Sequence, residues 1–482
     1  MGTGASTGKP LPELIAKLQE AKQRAKDRGK LGHHYIPPQP CSPPVVAPPA
    51  AASKPAPLKP GNHFAQFEAQ LGDLFNERWL LAPLYDFYHA ADSVSAGQGH
   101  SLLLREGRVY SWGDNNKGQL GRTVAHYITA HIIPWPVDLP GGFVCKAIAA
   151  KGYHSLALST DGQVYSWGSN SKGALGRPFA DDAGFYTPSR TPRPVDLPGG
   201  FICKAIAVGF NHCLALSTDR QVYSWGSNSQ GALGRPVADD AGFDATPRRV
   251  DLPVACSAIA AGTHYCFALG IDGRVYSWGD NERSQLGRPV AGDAGFDTTP
   301  RPVDLPVACR AIAAGTHHCF ALGIDGQVYS WGWNGDGQLG RTVADDAGFD
   351  TTPRRVDLPV ACKAIAAGTH HCLALGIDDQ LYSWGKKNNG QLGRPVADDA
   401  GFDATPRPVD LPKGFVCKAI AAEHHSLALG IDSHVYSWGA NQYGQLGRDG
   451  DEAKPTIIKR LLALTRPALP PSAEAASAAT GG

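Results

Sequence analysis

From Val94 to Leu461 the chain alternates short apolar runs with clusters of Gly, Pro, Asp and Asn. The stretch that ends at Trp384 holds four such runs: "RRVDLP", "CKAIAAG", "HHCLALG" and "QLYSWG". Each is short, apolar and bounded by turn residues, which predicts strands. "TDG" and "IDG" stand before the tyrosine-bearing run, and the glycine there accepts the positive φ of a tight hairpin. The set then repeats. Tyr-Ser-Trp-Gly recurs with its tryptophan at Trp112, Trp167, Trp225, Trp278, Trp331, Trp384 and Trp438. Four antiparallel strands per unit, repeated radially, describe blades.

The predicted fold class is therefore all-β, a seven-bladed β-propeller. The first unit starts at "VSAGQGHSLLL" with no "PVDL"-type run directly before it; a run of that type stands at the far end, in "KPTIIKRL" (Lys454–Leu461). This predicts a ring closed by a C-terminal strand that completes the first blade, which leaves no exposed sheet edge between first and last units. The tryptophans and tyrosines supply large apolar area between blades. "GQLG" supplies glycines for tight turns and a leucine to bury. Asn115, Asn170, Asn228, Asn281, Asn334 and Asn441 follow the tryptophan by three residues and are expected to tie down that loop; Lys387 holds the place in the sixth copy.

The segment "AAGTHHCFALGIDGQVYSWGWNGDGQLGR" (Ala313–Arg341) resembles the regulator of chromosome condensation repeat. The resemblance covers roughly Val94 to Leu461, and its fold is a seven-bladed propeller. Members of that family serve as exchange factors for the small GTPase Ran, as modules of ubiquitin ligases, as a plant ultraviolet receptor and as a bacterial β-lactamase inhibitor. The resemblance thus implies protein binding more firmly than any one activity. The Ran exchange factor carries an extra β-wedge in one blade, and no matching insertion stands in this sequence. The receptor needs clustered extra tryptophans; inside this propeller only Trp135 and Trp333 depart from the Tyr-Ser-Trp position. The near-identity of blades four to six suggests recent duplication and a bacterial member.

Variation within the repeat marks the candidate binding face. In a four-stranded meander alternate connections share a face, so the "GTHH" turns and the long "GQLGRPVADDAGFD" loops are expected together. The second residue of each turn pair is His100, His154, His212, His318, His371 and His425, with Tyr265 in the fourth copy; so strict a repeat predicts packed, hydrogen-bonded histidines. The residue before it varies: Gly99, Tyr153, Asn211, His264, His317, His370 and His424. Variation on a rigid scaffold is where specificity can live. Asp181, Asp239, Asp240, Asp345, Asp346, Asp398 and Asp399 line the long loops and could form an acidic rim for a basic partner, with Arg248, Arg249, Arg354 and Arg355 partly neutralising it. No metal site is expected, because adjacent blades hold the histidines apart and the acidic spacing is not that of an EF-hand.

Composition narrows the function classes. Lys and Arg number 45 against 44 Asp and Glu, a formal net charge of +1, which argues against general nucleic-acid binding. Four cysteine pairs, Cys203/Cys213, Cys256/Cys266, Cys309/Cys319 and Cys362/Cys372, sit ten apart and could face each other across hairpins; reduced, packed thiols are expected. "GTGASTGKP" imitates a phosphate loop, but its glycine spacing is wrong and Pro10 follows Lys9. With no GxSxG and no HExxH, no catalytic residue and no cofactor is expected.

Both ends look different. Residues 1–32 hold a basic amphipathic pattern, with Leu14, Ile15, Leu18, Ala21 and Ala25 at helical spacing among lysines and arginines. Such a helix could dock on a partner or a membrane surface, and "MGTGAS" fits the loose N-myristoylation pattern at Gly2. Residues 33–62 form a stiff Pro-rich linker, and 63–92 regain helical spacing in a segment expected to pack on the propeller. The propeller is assigned to 93–465 and a disordered tail to 466–482. The sequence thus predicts a monomeric, cytoplasmic protein-interaction platform; the alternative is an exchange factor for a Ran-like GTPase, delivered into a host cell as a bacterial effector. An enzyme inhibitor that plugs a pocket with its loops is the third reading.

Overall fold

The computed structural model describes residues 92–122, 130–177, 188–237, 242–290, 295–343, 348–396 and 401–461. Gly2, the basic helix, the Pro-rich linker, residues 63–91 and the tail lie outside them. The described residues form seven four-stranded antiparallel sheets, each an unbroken meander in sequence order. Blade one consists of Ser93–Ala96, His100–Arg105, Arg108–Asp114 and Ala130–Pro136. Blades two to seven begin at Cys145, Cys203, Cys256, Cys309, Cys362 and Cys417, and end at Pro194, Arg249, Pro302, Arg355, Pro408 and Ile457. The seven-bladed propeller follows.

The phase of the blades differs from the sequence expectation. The fourth strand of each sheet follows the tyrosine strand; it does not precede the cysteine strand. In blade five, Tyr329 faces Arg355 and Ser330 faces Arg354, so "FDTTPRR" (Phe349–Arg355) pairs there. "VDLP" is the crossing to the next blade: Val356 N donates to Val328 O at 2.8 Å, and Asp357 N to Gly340 O at 3.2 Å. The strand has a proline inside it, which an outer strand tolerates because one of its edges is unpaired. The apolar "VDL" run therefore misled, since its valine is buried at the blade junction and not in a ladder.

The C-terminus consequently completes blade seven, where Tyr436 faces Ile457 and Ser437 faces Thr456, and blade one draws its fourth strand from Ala130–Pro136. The tail end of the propeller still seals the ring. Ile458 and Leu461 pack with Val94, Leu103, Tyr110 and Trp112 of blade one. Arg105 Nη1 donates to Leu461 O at 3.1 Å. The first strands surround the axis: Lys151 Nζ of blade two reaches Ala314 O at 2.9 Å and Gly315 O at 3.3 Å in blade five.

The core lies between blades. Each of the seven repeat tryptophans is buried, and each belongs to a cluster that spans two adjacent sheets. Trp331 of blade five, for example, packs with Phe267, Leu286 and Val303 of blade four. Gly287 shows why the loop needs glycine: its φ is +63°, and a Cβ there would lie 2.8 Å from Trp331 Nε1. The paired cysteines do not face one another. Cys256 faces Gly270 and Cys266 faces Ala261, so the pair sits at opposite ends of the hairpin. The ten described cysteines are free and buried. Burial pushes the Cys145, Cys203 and Cys417 thiols up to about 12.

Candidate partner-binding face

A buried ring lies just beneath this face. Each repeat histidine reaches the side chain that follows the equivalent histidine in the next blade. His100 Nε2 lies 2.8 Å from Ser155 Oγ, His154 Nε2 3.2 Å from Cys213 Sγ and His212 Nε2 3.0 Å from Cys266 Sγ. The ring continues through His318 to Cys372 (3.3 Å) and His371 to Ser426 (2.7 Å), and closes where His425 meets Ser101 (2.6 Å). In blade four Tyr265 takes the place, its hydroxyl within donating distance of Gly315 O (2.9 Å) and His318 O (3.0 Å). The receiving Ser or Cys donates in turn to a loop carbonyl of the blade before it, as Cys372 does to Gln338 O; Trp384 Nε1 donates to the same oxygen. The expectation of packed, hydrogen-bonded histidines is met. Burial drives them down from the ordinary imidazole value, to about 3 for His100, His212, His371 and His425 and about 4 for His154. They are neutral structural groups.

The variable residues stand one position earlier and are half-buried at the surface: Tyr153, Asn211, His264, His317, His370 and His424. Several touch. The Tyr153 and Phe210 rings are 6.1 Å apart, Phe210 and His264 6.4 Å, and His370 and His424 6.5 Å. The turns meet the start of the loops of the preceding blade. Gln285 Nε2 donates to Asp280 Oδ2 at 2.8 Å and lies 3.2 Å from His317 Nδ1. His370 Nδ1 lies 3.0 Å from Asp336 Oδ2. Burial lowers His264, His317 and His370 and raises Asp280, with the facing carboxylates Asp280 and Asp336 opposing the fall at the histidines. The result is an arc of aromatic and imidazole rings backed by acids.

The aspartates named from sequence at 181, 239, 240, 345, 346, 398 and 399 lie outside the described residues. Two of the neighbouring arginines have described partners. Asp244 Oδ2 accepts from Arg235 Nη1 and from Arg248 Nε, both at 3.0 Å, and Asp350 likewise holds Arg341 and Arg354. Arg248 and Arg354 therefore answer carboxylates of their own blades. Sequence reasoning missed Phe210, Asp280, Gln285, Asp336 and Tyr443. Tyr443 is 42% exposed and lies against Gly99, where an added Cβ would come within 3.0 Å of its ring. The signal that could have found Phe210, Asp336 and Tyr443 was their irregularity within the repeat, as at Phe210 in "GFNH"; Gln285 belongs to the regular "QLG" element and carried no such signal. Among the described residues no group of three or more His, Cys, Asp and Glu is placed to hold a metal ion.

A rigid ring that presents non-identical loops on one face is a binding propeller, a platform for protein partners. The sequence signature of the RCC1-like domain matches residues 68–409 and again 142–482, so the chain belongs to that family. It is 33% identical over 340 residues to protein pim1 of Schizosaccharomyces pombe, covering 65% of this chain and 62% of that protein. It is 32% identical over 357 residues to the guanine nucleotide exchange factor SRM1 of Saccharomyces cerevisiae, covering 65% and 74%. The crystal structure of Prp20p from the same yeast, described with its binding to Gsp1p and histones, superposes with a TM-score of 0.64 at 28% identity over 78% of this chain and 88% of that one.

Proposed function

We propose that the face bearing His264, His317, His370 and His424 docks a Ran-like small GTPase and promotes release of its bound nucleotide. The observation that carries the reading is the gathering of the varied turn and loop residues on one face, over a ring that barely varies. Similarity to an exchange factor supports the choice of partner. Exchange requires no covalent chemistry. The propeller has only to bind the nucleotide-free GTPase more tightly than the loaded form, and the equilibrium then shifts towards release. Half-buried imidazoles and the acids Asp280 and Asp336 suit a charged switch surface.

A second reading is favoured by a specific observation: every sheet among the described residues has four strands, with no inserted hairpin. Without a wedge, the propeller would bind a protein and leave its nucleotide in place. The deciding measurement is release of a fluorescent GDP analogue from a panel of small GTPases, Ran included, as this protein is added. Concentration-dependent acceleration for one GTPase supports exchange. Capture of a GTPase without acceleration leaves a platform, and neither outcome with any GTPase rejects this partner class.

A further inference from the structure

We propose that Trp333, with Arg283 laid across its ring, is the anchor that sets partner specificity on this face, and that it takes a carboxylate flanked by apolar groups on the partner. The inference rests on the docking reading above. Blades four to six are nearly identical in sequence, so a departure among them needs a cause. The residue after Tyr-Ser-Trp-Gly is Asp114, Ser169, Ser227, Asp280, Trp333, Lys386 or Ala440. In four copies its side chain accepts a hydrogen bond from the backbone N–H two residues on: Asn116, Ser171, Ser229 and Glu282. An indole cannot accept that bond. Lys386 and Ala440 make no such contact either, but blade five alone puts a large ring there.

A second departure fits the first. Two residues after Trp333 stands Gly335, where the other copies have Asn116, Ser171, Ser229, Glu282, Asn388 and Gln442. A Cβ on Gly335 would lie 2.2 Å from the Trp333 ring, so the glycine makes room for the indole. Trp333 N donates to His317 O at 2.9 Å, which fixes the residue beside the histidine turn. From blade four, the Arg283 guanidinium sits 4.6 Å from the indole centroid. The pair is a cation over an aromatic ring, half-exposed at Trp333 and exposed at Arg283.

Its chemistry is that of an interface anchor. Trp and Arg dominate interface hot spots, and a guanidinium offers a fork of donors that suits a bidentate carboxylate. Two nearby acids have partners: Asp280 holds Gln285 and the Glu282 N–H, and Asp336 lies 3.0 Å from His370. No ion pair involves Arg283 among the described residues.

The repeat itself supplies the test variants. Trp333→Asp copies blade four, Trp333→Lys copies blade six, and Arg283→Gln copies Gln230 of blade three. All three should fold, with melting temperatures no lower than the parent beyond a degree or two. Against whichever GTPase of the panel the wild type binds, Trp333→Asp and Arg283→Gln should weaken binding about tenfold or more. Unchanged affinity would overturn the anchor while leaving the docking reading intact. If the wild type binds no GTPase, the probe becomes a phage-displayed random peptide library panned on the wild type and then on Trp333→Asp. Acidic-apolar peptides lost on the variant support the anchor; peptides held equally by both, or with no acidic enrichment, overturn it.

Discussion

His317 and His318 are chain neighbours with opposite fates. His318 is fully buried and lies 3.3 Å from Cys372 of the next blade, and burial drives its imidazole well below the ordinary value. His317 is half-buried, meets Gln285 of the blade before it, and is one of four histidines at a position that elsewhere holds Gly, Tyr or Asn. A strand start turns successive side chains to opposite sides. One side here is the junction between blades, where seven near-equal gaps demand near-equal fillers. The other is solvent, where nothing in the fold dictates the residue. Repetition therefore marks the groups that hold the propeller together, and variation marks those free to recognise a partner.

The most severe way to break the comparison is to remove a junction filler. Trp331→Ala should cost about 3–5 kcal/mol, because it opens a cavity against Phe267 and Leu286 and leaves Gln285 O short of a donor. Denaturant unfolding measures it. His318→Ala should cost less, about 1–3 kcal/mol, through the lost contact to Cys372. His318→Tyr, which copies Tyr265, should cost less again, since a tyrosine hydroxyl can reach the next blade's carbonyls as Tyr265 does. Equal losses for Ala and Tyr would mean that the ring contributes volume and not hydrogen bonds.

Acid provides a milder test of the same ring. The unfolded chain protonates its histidines near pH 6.5, whereas His100, His212, His371 and His425 hold out to about pH 3 and His154 to about pH 4. Folded values depressed below unfolded ones give stability that is complete above pH 6.5 and is lost as pH falls towards 3. Melting temperature should therefore begin to drop just below pH 6.5, above the range in which carboxylates titrate. Replacing one ring histidine by Tyr should make that slope shallower. A flat profile from pH 6.5 to 5 would contradict neutral, buried histidines.

Much of this was legible in the chain, and the misreadings have physical causes. The count of blades, the asparagine ties and the packed histidines followed from the repeat; Leu286 N, for example, donates to Asn281 Oδ1 as its spacing suggested. The phase of the blade was not legible. "VDLP" is more apolar than "FDTTPRR", yet the ladder needs backbone pairing, which hydrophobicity does not report. Spacing of ten does not fix a hairpin's register: Cys256 faces Gly270, and Cys266 faces Ala261. At the candidate face, the sequence pointed to the turns but not to their loop partners Gln285 and Asp336, because those contacts cross from one blade to the next. The Trp333–Arg283 stack likewise joins residues of two blades.

The smallest effect on stability is also the one that best separates the two histidines. His317→Ala and His370→Ala remove half-buried rings whose contacts, to Gln285 and to Asp336, are polar and partly open to water. Such pairs contribute little, so each variant should unfold within about 0.5 kcal/mol of the parent. Binding should respond in the opposite sense. The same two substitutions should slow the nucleotide release that this protein promotes from the GTPase, or weaken capture, while His318→Tyr leaves the partner's affinity unchanged for whatever fraction remains folded. The informative measurement is therefore the pair of stability and affinity on one preparation of each variant. If His317→Ala lost stability and kept affinity, the exposed position would belong to the fold after all, and variation between copies would be drift on a surface that binds elsewhere.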